Sequence, residues 1–413
     1  MRSGGTAWVV CAILVLAAAP AQADRRTALA GSRLLEDADD VWVFPALELL
    51  HANRLGFDFG INDLQGSGML LLGFEDWGIG VGVHRGDLLR PGAYFAGPDG
   101  DLVGLSGFDG LWAGVNSPFS ASAPPAPVIA DLVGAMRLEG SHLLGLRLTG
   151  GAGGVTNGDP VRPGDPAPLH EISKSQGYFG LTAGYSIRGP ANVDVSAEFG
   201  FDTLSLTDTH EPPTQNYGDG TAYLGGLNAR AFFEITEKLD IGVLADFGVA
   251  DYAQNDRQLE RTWHRRTFTG SLAAGPRVRL GENALIAAYL TIGLAGTLIK
   301  PEDVDAGDEE TRDTMLTAPG VHLAGEFRVF EWLYFRAGMT GSYVVRWHSD
   351  PDTGSQTDYP YDFGWHAGIG LEVGDFRFDG AFSGSFLTSG PAFLGQPSPL
   401  YAIVSASYAW GAE

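Results

Sequence analysis

Three side chains in the second half of the chain carry groups suited to acid–base work or to zinc: His322, Glu326 and His366. A neutral imidazole can ligate zinc or shuttle a proton near neutral pH, and a carboxylate can assist either. Their spacing is not the His-Glu-x-x-His of a zinc hydrolase. No serine has a marked histidine and acid partner. The sequence therefore assigns no catalytic residue, no cofactor and no metal, and leads us to expect no enzyme. Weak calcium candidates are Asp350, Asp352 and Asp358, with a second acid-rich stretch from Glu302 to Glu310. Alternate carboxylates near a glycine bind calcium through oxygen, but neither loop has the twelve-residue ligand spacing of an EF-hand, and solvated loop tips are the simpler account.

A larger set of charged residues falls on one row of the alternating segments: Glu198, Asp202, Arg230, Glu234, Asp246, Arg265, Arg277, Arg279, Glu326, Arg328, Arg336, Arg346, His366, Glu372, Arg377 and Asp379. Both signs are present. Two chemistries fit: compensating ion pairs, because charges away from water need partners, or a charge-lined path that selects solutes.

The elements that must position this row are strands. From Asn192 to Asp202, Val193, Val195, Ala197, Phe199 and Phe201 oppose Asn192, Asp194, Ser196, Glu198, Gly200 and Asp202. Successive strand side chains point to opposite faces, so the segment has one apolar and one wet side. Asp375 to Phe386 repeats the pattern, with Phe376, Phe378, Phe382 and Phe386 on the apolar side. Segments of about ten alternating residues separated by turns mark a transmembrane β-barrel. Alternation hides hydrophobicity, which explains a mean hydropathy of only +0.01 in a chain that is 44% apolar. Soluble sandwiches use strands of about five or six residues, shorter than these. No fixed-length repeat suggests a propeller.

Short and long connections alternate. Candidate short turns are Glu75-Asp76, Glu139-Gly140, Arg188-Gly189-Pro190, Thr236-Glu237-Lys238, Gly281-Glu282-Asn283, Val329-Phe330-Glu331 and Gly374-Asp375. Candidate long loops are Gly86 to Gly104, Gly151 to His170, Thr207 to Gly218, Gln254 to Thr262, Lys300 to Arg312, His348 to Asp358 and Ser389 to Ser398. Outer-membrane barrels have short periplasmic turns and longer external loops, which puts both termini on the periplasmic side and requires an even strand count. The fold expected is an all-β, antiparallel up-and-down transmembrane barrel of about 16 strands, with 14 and 18 also fitting. Pro118, Pro124, Pro125 and Pro127 exclude a central strand there, because proline lacks a ladder donor. Whether Leu105 to Val115 forms a separate strand stays open.

Arg2, the apolar run Ala7 to Ala19 and Ala21-Gln22-Ala23 read as a secretory signal peptide over 1–23. The single cysteine, Cys11, lies inside it, so the exported chain is expected to have no disulfide. No later stretch is long and apolar enough for a helical span. A formal charge of −24 disfavours nucleic acid as a partner. Residues 24–40 are polar with little alternation and read as a periplasmic tail or a lumen plug, ahead of a single barrel domain over 41–413. Tyr343, Trp347, Tyr361 and Trp365 sit toward strand ends, the place of an interfacial aromatic girdle. In the last strand Tyr408 and Trp410 share a face with Ala402, Val404 and Ala406. This resembles the C-terminal signal read by bacterial barrel-assembly machinery, with Gly411-Ala412-Glu413 added after the aromatic. Assembly machinery and outer-membrane lipid are the expected partners, and the outer membrane the expected location.

The run Asp39-Asp40-Val41 through Phe44-Pro45-Ala46, followed by strands, resembles the start of the long-chain fatty-acid transporter superfamily and its protein-secretion relatives. Those begin with Asn-Pro-Ala near the first strand; here Phe44 stands in place of the Asn. The resemblance implies a barrel of 14 strands, an N-terminal plug and passage of a hydrophobic solute. The expected function is a passive conduit, either a porin-like diffusion channel or a hydrophobic-solute transporter. The alternative is a non-conducting accessory barrel that anchors a partner; a barrel lipid hydrolase or protease comes last. The solute is not legible.

Overall fold

The computed structural model describes residues 24–60, 66–83, 128–158, 171–208, 215–256, 261–301, 310–350, 354–382 and 401–411. Among them, seventeen strands form one antiparallel sheet. In chain order these are β1 (Arg54–Gly60), β2 (Gly66–Gly73), β3 (Trp77–Val83), β4 (Val128–Arg137), β5 (His142–Gly158), β6 (Glu171–Ile187), β7 (Ala191–Asp208), β8 (Gln215–Thr236) and β9 (Leu239–Asp256). They continue as β10 (Arg261–Arg279), β11 (Ala284–Pro301), β12 (Thr311–Phe330), β13 (Leu333–Asp350), β14 (Gly354–Asp358), β15 (Tyr361–Val373), β16 (Phe376–Phe382) and β17 (Tyr401–Ala409).

Each strand pairs with its sequence neighbour, and β1 pairs with both β2 and β17, which closes the sheet into a barrel. Both β14 and β15 pair with β13, at Arg346↔Asp358 and Tyr343↔Tyr361. They are one stave interrupted at Tyr359-Pro360, where proline has no N–H for the ladder. The barrel therefore has 16 staves, the even number read from the hairpins and not the 14 of the resemblance.

Every short turn read from the sequence lies at one end of the barrel, the end that also holds Arg54 and Ala409. At the opposite end the strands run further than the alternation showed. The segments starting at Gly151, Thr207, Gln254, Lys300 and His348 were expected to be loops. The ladder instead continues to Gly158, Asp208, Asp256, Pro301 and Asp350. The physical reason is solvent. Beyond the lipid both faces of a strand meet water, so the apolar-polar alternation fades while backbone pairing persists. The 18 residues of β9, at ~3.3 Å per residue and a tilt of ~40°, rise about 45 Å, against an apolar band of about 25 Å.

The outer wall is apolar and unshielded by protein. Phe199, Leu227, Phe247, Leu272, Leu290 and Ile292 all point out and are exposed. This is the lipid-facing band of a transmembrane barrel. Aromatic pairs mark its edge at the turn end: Phe74 stacks on Trp77 with centroids at 4.0 Å, Phe330 on Trp332 at 5.6 Å, and Phe376 lies 4.6 Å from Tyr408, which is 5.9 Å from Trp410. At the other edge Tyr343 and Tyr361 are 5.1 Å apart, with Trp347 beyond them and Trp365 deeper in the band, all outward and exposed.

The wall begins at Arg54, not at Val41. Residues 41–50 carry on from 24–40 inside the lumen. Val41-Trp42-Val43-Phe44 has no wet face, and Pro45 opens a 3-10 turn, so this stretch cannot serve as a stave with one side in water. The signal segment with Cys11, the 105–127 stretch, Asp352 and Glu302 to Glu309 lie outside the described residues.

Candidate functional site

The site is built where the N-terminal segment meets the inner wall. Helix α1 (Asp24–Ala28) is followed by Ala30 and Gly31 at φ 54° and 73°, a left-handed pair that reverses the chain. Asp37 then caps a 3-10 turn, Ala38–Trp42. Its carboxylate accepts from the Ala38 N–H at 2.6 Å, and the Asp40 carboxylate accepts from the Asp37 N–H at 3.1 Å. This reciprocal cap satisfies donors that a buried helix start would otherwise orphan. A second 3-10 turn, Pro45–Leu50, leads to the first stave.

Two apolar clusters hold the segment to the wall. Leu29, Leu34 and Leu35 pack with Phe232, Leu244, Ala273, Ala287, Tyr289 and Ala324 of β8 to β12. Val41, Trp42, Val43, Phe44 and Leu47 pack with Leu71 and Val133 of β2 and β4. Wall glycines make room for these knobs. A Cβ on Gly82 would lie 2.6 Å from the Trp42 ring, and one on Gly242 2.5 Å from Leu34. On the far side, a Cβ on Gly338 would lie 2.5 Å from the Leu29 carbonyl carbon, and one on Gly368 2.6 Å from Ala28 Cβ. Real side chains do not fit at such distances, so wall and plug are moulded to each other.

Ion pairs join the same two surfaces. Arg230 Nη1 donates to Asp40 at 2.6 Å and to the Arg33 carbonyl at 3.0 Å, while its other nitrogens reach Asp194 at 2.9 and 3.0 Å. Arg26 closes on Asp40 from the plug side. Arg277 bridges wall Asp240 at 2.8 Å and plug Glu36 at 3.2 Å. Arg33 reaches Asp246 at 2.7 Å. Arg25 binds Asp37 and Glu326, both at 2.9 Å, and Glu326 also takes Arg336 at 2.6 Å and Arg377 at 3.3 Å. Asp379 joins Arg336 at 2.5 Å and Arg377 at 3.0 Å. Arg147 donates to the Trp42 carbonyl and to Glu198, at 3.0 Å for the latter. Phe44 lies under Arg230 at 5.0 Å and Arg33 at 5.6 Å.

These contacts set the plug's electrostatics. Burial would push Asp40 up, but Arg230 and Arg26 outweigh it and hold its pKa at about 2. Asp37, half-buried, is held well below the carboxylate range by Arg25 and Arg26. Burial pushes His51 down. Glu48 is different: it is fully buried, neither carboxylate oxygen has a hydrogen-bond partner, and burial pushes its pKa up to about 7.

All sixteen residues of the charged row face the lumen, at three levels. Glu198, Arg230, Asp246, Arg277, Glu326, Arg336, Arg377 and Asp379 belong to the plug contacts or pair with residues that do. Glu234, Arg279, Arg328 and Glu372 sit at the turn-end rim. There Arg279 reaches Asp240 at 2.9 Å, and Tyr334 donates to Glu372 at 2.5 Å. Asp202, Arg265, Arg346 and His366 lie higher on the wall. Of the group His322, Glu326 and His366, the two histidines lie within electrostatic reach of each other across β13, but Glu326, four residues further along β12, does not join them. His322 stacks on Tyr289 at 4.7 Å and contacts its hydroxyl at 2.8 Å, whereas Glu326 is taken by three guanidiniums. Among the described residues no three His, Cys, Asp or Glu side chains converge on a metal position. Asp358 is exposed and opposite Arg346 in the ladder.

Sequence reading missed Asp131, Arg147, Asp194, Asp240 and Glu48. Asp194 stands in the inward row of its alternating segment, and Asp240 follows the same alternation in its own strand beside Arg277, which needs an acid. Glu48 had no signal, because its site is created by the plug's own path.

No family model and no curated sequence matches the chain. Solved structures resemble it at low identity. The siderophore receptor PiuA from Acinetobacter baumannii aligns over 62% of this chain at 8% identity and a TM-score of 0.36. The chain spans about half (47%) of that receptor's length. The P. putida toluene transporter TodX aligns over 91% of this chain and 95% of its own at 11% identity and TM-score 0.37. For the Ralstonia pickettii toluene transporter TbuX the values are 94%, 98%, 10% and 0.38. The barrel assignment stands on the closed ladder itself.

Proposed function

We propose that the chain is a gated outer-membrane conduit for a small solute, with its N-terminal segment as the gate. One observation carries this reading. The segment 24–50 crosses the lumen at the turn end, touching staves from β2 round to β17, yet it is joined covalently to the wall only at Asn53-Arg54. In outer-membrane barrels that end is periplasmic. Every other attachment is an ion pair, a hydrogen bond or an apolar contact that can be broken and remade. An open diffusion channel does not fit such a floor. Above it, Tyr178, Ala222, Leu224 and Ala250 form a separate inward apolar cluster, which favours a solute with an apolar part. The ladder is continuous among the described residues, so release through the floor is the route supported.

The second reading, a non-conducting accessory barrel, is favoured by burial of the inner row well above the plug, at Thr267, Thr269 and Thr297. A tether separates the two. At Gly242 the atoms that a Cβ would meet all belong to the Leu34 side chain, with Cγ at 3.3 Å, so a cysteine at 34 removes the clash and puts its sulfur near the sulfur–Cβ spacing found across a disulfide. In Leu34→Cys/Gly242→Cys, refolded into liposomes, solute influx is expected to be absent when oxidised and restored by reductant. Equal influx in both states would overturn a gate at the plug. No influx in either state, from protein shown to be folded, would leave the accessory barrel.

A further inference from the structure

We propose that Glu48 is a protonation-controlled latch: it seats the plug against β2 to β6 while neutral and loosens that side when it ionises. This rests on the reading of segment 24–50 as a gate. The argument is geometric. Glu48 sits in the 3-10 turn Pro45–Leu50, has no exposed surface, and presents both oxygens to the wall without a hydrogen-bond partner. It lies over Gly78, where any Cβ would overlap the carboxylate. A buried carboxylate without a donor or counter-ion is costly, so the seated group holds its proton. Gly78 follows Trp77, whose ring stacks on Phe74 at the turn-end edge of the lipid band, so the latch is one residue pair from periplasmic water.

Charged groups on the surrounding elements do not relieve it. On β4 and β5 the inward charges are Asp131, Arg137 and Arg147. Asp131 and Arg147 are 3.8 Å apart, and Arg147 is also committed to Glu198 and the Trp42 carbonyl. On β2, β3 and β6 the described inward neighbours at this level are uncharged: Leu71, Gly73, Gly78, Gly80, Gly184 and Ser186. Asp39 and Asp40 lie in the preceding turn, with Asp40 held by Arg26 and Arg230, and His51 closes the latch turn. None of them hydrogen-bonds Glu48.

The sign follows from proton binding. The seated state binds the proton more tightly than the loosened one, so seating is strongest in acid and weakens as pH rises. Burial sets the seated pKa at about 7 against an ordinary 4.5. Between about pH 5 and about pH 8.5 the loosened fraction should then rise roughly 75-fold.

Hydrogen exchange on the refolded full chain tests this, with rates corrected for the intrinsic pH dependence of amide chemistry. Peptides covering 41–50 are expected to lose protection by that factor, while 25–35 does not follow. In Glu48→Gln the dependence should vanish. If that variant does not fold, Glu48→Met carries the same comparison. A wild-type protection ratio that stays flat, or a variant that keeps the full drop, would overturn the latch. Exchange reports the latch without any solute. PH-dependent exchange without tether-controlled influx would sink the conduit and leave the latch. Tether-controlled influx with flat exchange would do the reverse.

Discussion

Replacing Arg230 by methionine should open the plug without disturbing the barrel. Arg230 has no exposed surface and ties plug Asp40 to wall Asp194 at 2.6 and 2.9 Å. Removing one partner of a buried pair costs about 3–5 kcal/mol, because the other charge is left uncompensated. Here each carboxylate keeps a second guanidinium, Arg26 on Asp40 and Arg188 on Asp194, the latter at 2.7 Å. The lower end, about 3 kcal/mol, is therefore the right scale. Methionine keeps the apolar contact with Phe44 and Phe232, so most of the loss is electrostatic. At 1.36 kcal/mol per tenfold, the opened fraction of the plug rises by about 150-fold. Hydrogen exchange on peptides within 25–50 reads this directly, while a heat-modifiable gel shift confirms a folded barrel. Arg266→Met is the control, because its pair with Asp251 at 3.4 Å lies on the exposed outer wall and should change nothing. A change under about threefold in Arg230→Met would refute the ionic latch and leave apolar packing as the whole attachment.

Gly338→Val should displace helix α1, since its Cβ meets backbone atoms of Leu29 and Ala30 that cannot swing away. Exchange in 25–35 should rise at least about fivefold, from ~1–3 kcal/mol of overpacking, with 41–50 less affected. Leu290→Arg puts a cation on the lipid face near mid-depth and should cost about 2–4 kcal/mol in reversible folding into bilayers; Leu280→Arg at the rim should cost ~0–1. Asp40 gives an acid limit. Its pKa falls from 3.8 to about 2 on seating, so its contribution is complete above about pH 4 and lost as pH falls through 2. Pepsin, normalised to its cleavage of an unfolded substrate at each pH, should nick the plug faster near pH 2 than near pH 4, and Asp40→Asn should reduce that ratio, with Asp37 carrying the remainder.

The barrel was legible because lipid imposes a period of two. On β7, Val195 and Phe199 stay on the lipid face while Asp194 and Ser196 turn inward, and both rows could be read from the order of the residues alone. The turns were legible for a related reason: they are short, and Gly140, Gly281 and Gly374 hold left-handed conformations at φ 73°, 68° and 61° that other residues resist. Strand length was not legible. The outer half of β5, Gly151 to Gly158, pairs with β6 but carries no apolar row, since no lipid selects one there.

The plug failed the same test for the opposite reason. Its surroundings are neither lipid nor water but a wall of mixed character, so no period governs it. Val41 to Phe44 is apolar throughout, while on the same segment the Asp40 carboxylate is buried and that of Asp37 half-buried. The signal lay in the wall. Gly78, Gly80 and Gly82 make one inward face of β3 with no side chain at all. A strand that lines a water-filled bore gains nothing from three such gaps, and glycine weakens a strand interior. The gaps are explained once Glu48 and Trp42 fill two of them and Leu71 and Val133 close over the third. Inward arginines gave the complementary signal. Arg230 and Arg277 each have a wall acid on the neighbouring strand, yet each guanidinium has donors left over, and these reach Asp40, Glu36 and main-chain carbonyls of the plug. Surplus donors and missing side chains on the same inner face thus mark a wall shaped to receive a segment of its own chain.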